Sequence, residues 1–346
     1  MKLELRRQTV RLAEPLHTSY GVLAERELAL VVLTGGDGVT GYGEAAPLPA
    51  YEGPGMDVVW PALESYVGAL REAGEARGDL LLEACRERAD VPAALAAIDM
   101  ALWDRAGRRA GRSIAALLSD RPAERVPVNA TLTAGDRAAV AEQAARAVGE
   151  GYECLKLKVG SGDDAGHVAA VRAAAGPVAQ LRLDANGAWD VEQAVRSIEA
   201  LAPAGLELVE EPVHGLAAMR TVRDRVPVRV SIDETAGERG ALGGGIADAV
   251  CLKLSRCGGI GALVAAAALV RASGAEVYLA STLDGPLGVA AALQAAAALA
   301  SRGPLPHCGL ATLALFADLE NPLPAKGGAI DVPSAPGIGI DAGEMF

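Results

Sequence analysis

The sequence predicts an α/β fold: a closed barrel of parallel strands preceded by a smaller α+β domain. Three observations carry this. From about residue 126 onward, short apolar strands alternate with alanine-rich helices through about eight units, which favours parallel strands and closure over an open sheet. Before about residue 120 strands come first and helices after, the order of an α+β domain. Finally, 346 residues at 51% hydrophobic supply enough core for two domains or one large barrel with additions.

In chain order, "LELRRQTVRL", "RELALVVLTGGDG" and "VTGYGEAAPL" read as strands joined by turns, and the continuously apolar "LALVVL" belongs at the sheet centre. "EPLHTSYGVL", with His17, Ser19 and Tyr20, reads as a loop, as does the Pro/Gly-rich "PLPAYEGPG" with Tyr51. Helical patterns run from about 57 to 119, clearest in "VPAALAAIDMALWDRAGRR". The barrel strands are "VPVNATL", "CLKLKVG", "LRLDANG", "LELVEEP", "VRVSIDE", "AVCLKLSRCGG", "EVYLAST" and a weaker "LPHCG". "VEQAVRSIEAL" is a good amphipathic helix, whereas "LVAAAALV" and "VAAALQAAAALA" suit buried helices better than membrane spans. The tail "NPLPAKGGAIDVPSAPGIGID" is full of turn signals and is predicted to fold back on the first domain. The expected boundaries are 1–122 for the leading domain, completed by 318–346, and 123–317 for the barrel.

A net charge of −12 argues against nucleic acid as partner, which wants a basic stripe, but leaves room for an anionic small molecule, because a local metal can invert the field. "MKLELRRQTV" lacks the apolar run of a signal peptide, so the expectation is a cytoplasmic protein with no membrane partner. Five cysteines, odd in number and without a CxxC pair, read as reduced, buried thiols. No sequence feature fixes an oligomeric state, and a homo-oligomer stays open.

Lysine occurs only at 2, 156, 158, 253 and 326, the other basic residues being arginine. Three of these five lie in apolar strand-like segments, where a solvated charge does not belong. Arginine is always protonated, but a partly buried lysine can exchange its proton near neutral pH. Period-two alternation puts Lys156 and Lys158 on one side of their strand. Consecutive strands end in Lys158, Asp184, Glu210, Asp233 and Lys253, roughly 20–26 residues apart, the length of one strand-plus-helix unit. In such barrels chemistry sits at the C-terminal strand ends, so the five groups converge on one mouth. Any single strand-end acid is ordinarily a helix cap or a solvated loop residue. Five in register are not incidental. Three converging carboxylates need a counter-charge, and hard oxygen ligands favour Mg²⁺. Between Lys158 and Lys253 there is room for a small-molecule carboxylate. Removing the proton next to that carboxylate gives an enediolate, stabilised by a divalent cation and an ammonium. Lys158 is assigned as the base and Lys156 as its cationic neighbour. A non-catalytic binding barrel would not require both flanking lysines.

Nearly the whole chain resembles the enolase superfamily, in its muconate lactonizing subgroup, through "KLK", "LDANGAW", "VEEP", "IDE" and "LKLSRCGG" in order and spacing. The resemblance implies a modified TIM barrel, (β/α)₇β, with an α+β capping domain. It implies Mg²⁺ held by Asp184, Glu210 and Asp233, with Lys158 and Lys253 on opposite faces of the substrate. Asn186, Glu211 and Glu234 would support those ligands from behind. Tyr20 and Tyr51 in the capping loops, Thr131, Thr282 and Asp284 are candidate substrate contacts; Asp284 is equally a helix cap. His17 is placed at the pocket edge, and His167 and His214 on the surface. The seventh strand, "EVYLASTLDGPLG", has no histidine, which disfavours the mandelate racemase-like and sugar-acid dehydratase relatives. Three activities share the enediolate. "CGLATLALF", 308 to 316, resembles o-succinylbenzoate synthases, making dehydration in menaquinone biosynthesis the leading expectation. That segment lacks the Asp-x-Asp of Ala-Glu dipeptide epimerases, though other dipeptide or N-acylamino-acid epimerases lack it too. "STLDGPLG" leans toward muconate-type cycloisomerases.

Overall fold

The computed structural model describes residues 1–18, 21–49, 53–133, 135–160 and 162–342. The chain opens with β1 (Lys2–Thr18), β2 (Gly21–Thr34) and β3 (Thr40–Ala45), an antiparallel sheet in the order β1-β2-β3. "LALVVL" is apolar throughout because both faces of β2 are covered. Leu28 and Leu30 pack into the core shared with the barrel, while Ala29, Val31 and Leu33 pack on the domain's own helices. Those helices are α1 (Met56–Ala73), α2 (Gly78–Arg88), α3 (Pro92–Ala110) and α4 (Ile114–Leu118). The stretch read as a loop around "EPLHTSYGVL" is instead largely strand. After a register shift between Arg11 and Leu16, pairing resumes with Leu16 opposite Leu23 and Thr18 opposite Gly21. Hairpin pairing satisfies backbone groups that a loop would leave to water.

The barrel begins with β4 (Arg125–Pro127) and β5 (Ala130–Leu132), followed by α5 (Arg137–Gly149), β6 (Cys154–Lys158), α6 (Asp164–Ala175), β7 (Gln180–Asp184) and α7 (Val191–Leu201). Asp190 opens α7 with a full capping box to Gln193, so the strand-to-helix turn after β7 is fixed locally. Next come β8 (Leu208–Glu210), α8 (Leu216–Arg225), β9 (Val230–Ile232), β10 (Ala249–Leu252), α9 (Leu254–Cys257), α10 (Ile260–Ala272), β11 (Glu276–Leu279) and α11 (Pro286–Ala300). Between β9 and β10 a 3-10 turn, Glu234–Gly237, stands where the other units have a helix, which is why that spacing is the shortest.

Strands β5 to β11 form one parallel sheet in sequential order. The weak "LPHCG" closes it. Val128 bridges Cys308 and Ala280 bridges Gly309, both parallel, with Cys308 N–H donating to Pro127 (2.8 Å) and Gly309 N–H to Leu279 (2.8 Å). The molecule is therefore a modified TIM barrel with an α+β capping domain. Residues 286–299 of α11 are all buried, as its alanine-rich sequence requires. Buried Gln294 ties this helix to its surroundings, accepting from Ala115 N–H (2.8 Å) and donating to Pro333 O (2.7 Å).

The tail returns to the capping domain: Ile338 N–H donates to Asp104 (2.6 Å) and Ile114 N–H to Gly337 O (2.9 Å). It also makes a contact that turn signals alone do not announce. Strands β12 (Ala325–Lys326) and β13 (Ala329–Asp331) form a small antiparallel sheet with β4, the entry to the barrel. No described helix is long and apolar enough to cross a membrane. All five cysteines are free thiols, four of them buried.

Candidate active site

Parallel register brings the strand ends to one level: Lys158 pairs with Asp184, and Asp184 with Glu210. Alternation then decides which side chains share the barrel interior. Lys156 and Lys158 do, because both amines meet the same oxygen, Asp184 Oδ2, at 2.8 and 2.7 Å. Lys156 also reaches Glu210 Oε1 at 2.7 Å. Across the mouth, beyond β7, β8 and β9, Lys253 Nζ lies 2.9 Å from Asp233 Oδ2. Ligand atoms of Glu210 and Asp233 lie within 4.8 Å of each other, which brings the two groups to one mouth, with Asp184, Glu210 and Asp233 all buried.

Electrostatics separates the lysines. Burial works against the charge on Lys156, but Asp184 and Glu210 outweigh it and hold that amine protonated, well above its ordinary range. That favours the charged form of Lys156, in keeping with its place in the sequence reading as a cationic neighbour of Lys158. Its side chain is 13% exposed against 42% for Lys158, so Lys158 is the one open to a ligand. Lys158 also donates to Asn186 Oδ1 (2.5 Å). Burial would raise Asp184, yet Lys156 and Lys158 pull it down to about 2. Burial likewise opposes ionisation of Asp233, but Lys253, Arg256 and Lys156 keep it low. Glu210 is raised by burial, against the pull of Lys156.

A second ring of groups lies behind the first. Glu211 Oε2 accepts from Asp233 N–H (2.7 Å), and its Oε1 accepts from Thr235 N–H (3.0 Å) and from the Thr235 hydroxyl. Asn186 Nδ2 donates to Glu234 Oε1 (3.0 Å). The other Glu234 oxygen is buried with no hydrogen-bond partner, and burial followed by Asp233 raises that carboxyl to about 8. His214, expected on the surface, is half exposed, but its Nδ1 lies 3.0 Å from Glu211 Oε1. Hydrogen bonding to Glu211 raises its ring pKa. Asn186 and Glu211 both have positive φ, 43° and 41°, a conformation non-glycine residues adopt at a cost. That cost recurs at this mouth: Leu283, after β11, has φ 57°.

Of the proposed substrate contacts, Thr131 pairs in register with Lys156 and so shares its face. Thr282 and Asp284 turn toward each other: Thr282 N–H and Oγ1 donate to Asp284 at 3.2 and 2.8 Å, and Ser255 Oγ lies 3.3 Å from Thr282 Oγ1. At the head of α11, Gly285 N–H donates to Glu44 Oε1 (2.6 Å). Tyr20 and Tyr51 lie outside the described residues, as does the side chain of His17.

Three residues were not singled out from sequence. Arg256 donates to Asp233 Oδ1 (3.0 Å) and to Asp233 O. Tyr278 donates to Glu210 Oε2 (2.7 Å) from deep in the barrel. Cys251, beside Tyr278 in register, brings its thiol within 4.8 Å of ligand atoms of Glu210 and Asp233. The signal for the last two was present, since Cys251 lies two residues before Lys253 and alternation puts both inside. The Glu210–Asp233 pair, with the Asp184 carboxylate and the unpartnered Glu234 oxygen nearby, is a hard-oxygen donor set suited to Mg²⁺.

Comparison with known proteins agrees with this geometry. Residues 1–119 match the family model "Mandelate racemase / muconate lactonizing enzyme, N-terminal domain", and residues 139–345 match "Enolase C-terminal domain-like". The chain is 31% identical to muconate cycloisomerase 1-1 of Acinetobacter lwoffii over 95% of its length and 90% of the relative's. It is 30% identical to the L-Ala-D/L-Glu epimerase of Bacillus subtilis, over 98% and 96%. The crystal structure of the Enterococcus faecalis V583 dipeptide epimerase complexed with Mg and the dipeptide L-Leu-L-Tyr superposes with a TM-score of 0.88 at 27% identity, covering 98% of this chain and 99% of that one.

Proposed function

The chain belongs to the mandelate racemase / muconate lactonizing enzyme family of the enolase superfamily and is an enzyme; on that premise we propose that it epimerises the α-carbon of a dipeptide or N-acylated amino acid by Mg²⁺-dependent proton transfer. One observation carries the reading. Two amines, Lys158 and Lys253, stand at opposite ends of a buried carboxylate row, each against a different acid. A single base suffices for elimination; two facing ones suit removal from one side and return to the other.

The metal follows from what a base must lose. Lys156, Lys158, Lys253 and Arg256 stand protonated against Asp184, Glu210 and Asp233. A base must be neutral, so the charge Lys158 gives up has to be supplied otherwise. Asp184, Glu210 and Asp233 would hold the ion, which would supply Lewis-acid charge offsetting that developing on the substrate carboxylate. Lys158 Nζ takes the α-proton while the C–H electron pair passes into the carboxylate as an enediolate. Lys253 Nζ then delivers a proton to the opposite face, and the configuration inverts. Lys156 remains a fixed cation beneath them, and Glu211 holds the Asp233 backbone in place.

Dehydration to o-succinylbenzoate is the second reading, motivated by residues 308–316. The relatives reported above are cycloisomerases and epimerases and lend it no support. Moreover, Cys308 and Gly309 close the barrel, so the start of that segment serves the fold. The deciding assay incubates purified enzyme and Mg²⁺ with a dipeptide panel, N-acylamino acids, muconate and the cyclohexadiene precursor of o-succinylbenzoate. Epimerisation within the first two groups is expected. Turnover of the precursor or of muconate alone would replace this assignment.

A further inference from the structure

The loop after β11, residues 280–285, borders the barrel mouth and carries a strained residue. Leu283 sits at φ 57°, in the left-handed region where a side chain crowds its own backbone. Asp284 closes part of the loop by accepting from Thr282 N–H and Oγ1. The holds on either side of Leu283 come from the capping domain. On one side, Arg26 of β2, only 3% exposed, donates to Thr282 O (3.1 Å) and also to Ala46 O (2.6 Å) and Pro47 O (2.7 Å). On the other, Glu44 of β3, 2% exposed, accepts from Gly285 N–H (2.6 Å) at the start of α11. The fit is close: a Cβ at Gly285 would lie 2.5 Å from Glu44 Oε2. One guanidinium thus joins the 46–47 segment after β3 of the cap to the barrel loop, and one carboxyl holds the start of the helix that follows it.

We propose that Arg26 and Glu44 are positioning residues that hold the strained Thr282–Gly285 loop from the capping domain and thereby set the substrate fit on the seventh-strand side of the mouth. The proposal rests on the reading of that mouth as the substrate site. Without the two holds, Leu283 relaxes out of its left-handed conformation and carries Thr282 away from Ser255.

The test uses the full-length enzyme and two readouts. Amide hydrogen exchange across 281–289 needs no substrate. Protection there is expected to fall at least tenfold in Glu44→Ala and to be retained in Glu44→Gln, which keeps the acceptor for Gly285 N–H. With whichever substrate is turned over, Glu44→Ala is expected to raise KM about tenfold while kcat stays within threefold, and Glu44→Gln to restore the wild-type KM. Leu283→Gly removes the strain, because glycine adopts positive φ without crowding; added to Glu44→Ala, it should reduce the KM penalty to under threefold. Unchanged exchange in Glu44→Ala overturns the hold itself, whatever the reaction proves to be. Lost protection with unchanged KM, or equal losses in the Ala and Gln variants, overturns its bearing on substrate.

Discussion

At the residue scale, the proposed mechanism assigns Lys158 and Lys253 to opposite faces of the substrate, and isotope exchange tests that assignment. In D₂O, Lys158→Ala is expected to abolish α-proton exchange of the epimer whose hydrogen faces that amine, since loss of a general base typically costs roughly 10²–10⁴-fold. Lys253→Ala should still exchange that hydrogen through Lys158 but fail to invert the centre. Exchange at wild-type rate in Lys158→Ala, followed by NMR, would remove it from the base role. Lys156 calls for a different expectation. Its charge is held by Asp184 and Glu210, so Lys156→Met leaves buried Glu210 without its amine and Asp184 with Lys158 alone, and should change Mg²⁺ affinity, read by calorimetry, besides rate.

At the scale of the strand and helix, β7 shows what one sequence can and cannot disclose. "LRLDANG" announces Asp184, and alternation announces that Arg182 points the same way. What Arg182 meets is not local. Its guanidinium forms a fork with Glu207 (2.7 and 3.0 Å), donates to His307 O (2.7 Å) on the closing segment, and stacks 4.9 Å from the Tyr278 ring. It pins β7, β11 and the barrel closure beneath the site. Arg182→Met, which strands the mostly buried Glu207, is expected to cost about 3–5 kcal/mol, read from the denaturant midpoint. The lysines, acids and strand order were legible because each depends on a period or spacing within one βα unit. Glu44 was not, because its partner Gly285 lies across the whole barrel in sequence. The hairpin arm past Arg11 was misread for a related reason: pairing with β2, not its own composition, makes it a strand.

At the scale of the whole molecule, buried acids couple the docking of cap on barrel to pH. Burial, then Asp284, raises Glu44 to about 8 from an ordinary 4.5. Burial also raises Asp99, which accepts from Ile260 N–H (2.5 Å) at the head of α10, to about 6. A carboxyl with a raised folded-state pKa binds its proton more tightly folded than unfolded. Its contribution is therefore full below the unfolded value and is lost as pH climbs to the folded one, here between about 4.5 and 8 for Glu44. Asp184 works in the opposite direction but lower down, its contribution being lost only as pH falls from 3.8 toward 2. Asp284 opposes the ionisation of Glu44, while the backbone N–H groups of Gly285, Leu287 and Gly288 favour it. The metal-free protein is thus expected to melt at a higher temperature at pH 5 than at pH 8, with Glu44 contributing on the order of a few kcal/mol. Glu44→Gln, which fixes the neutral form and keeps the bond to Gly285, should flatten that slope. Parallel melting curves for wild type and variant between pH 5 and 8 would mean that Glu44 is already ionised in the fold, and that its burial is offset by charges other than those named here.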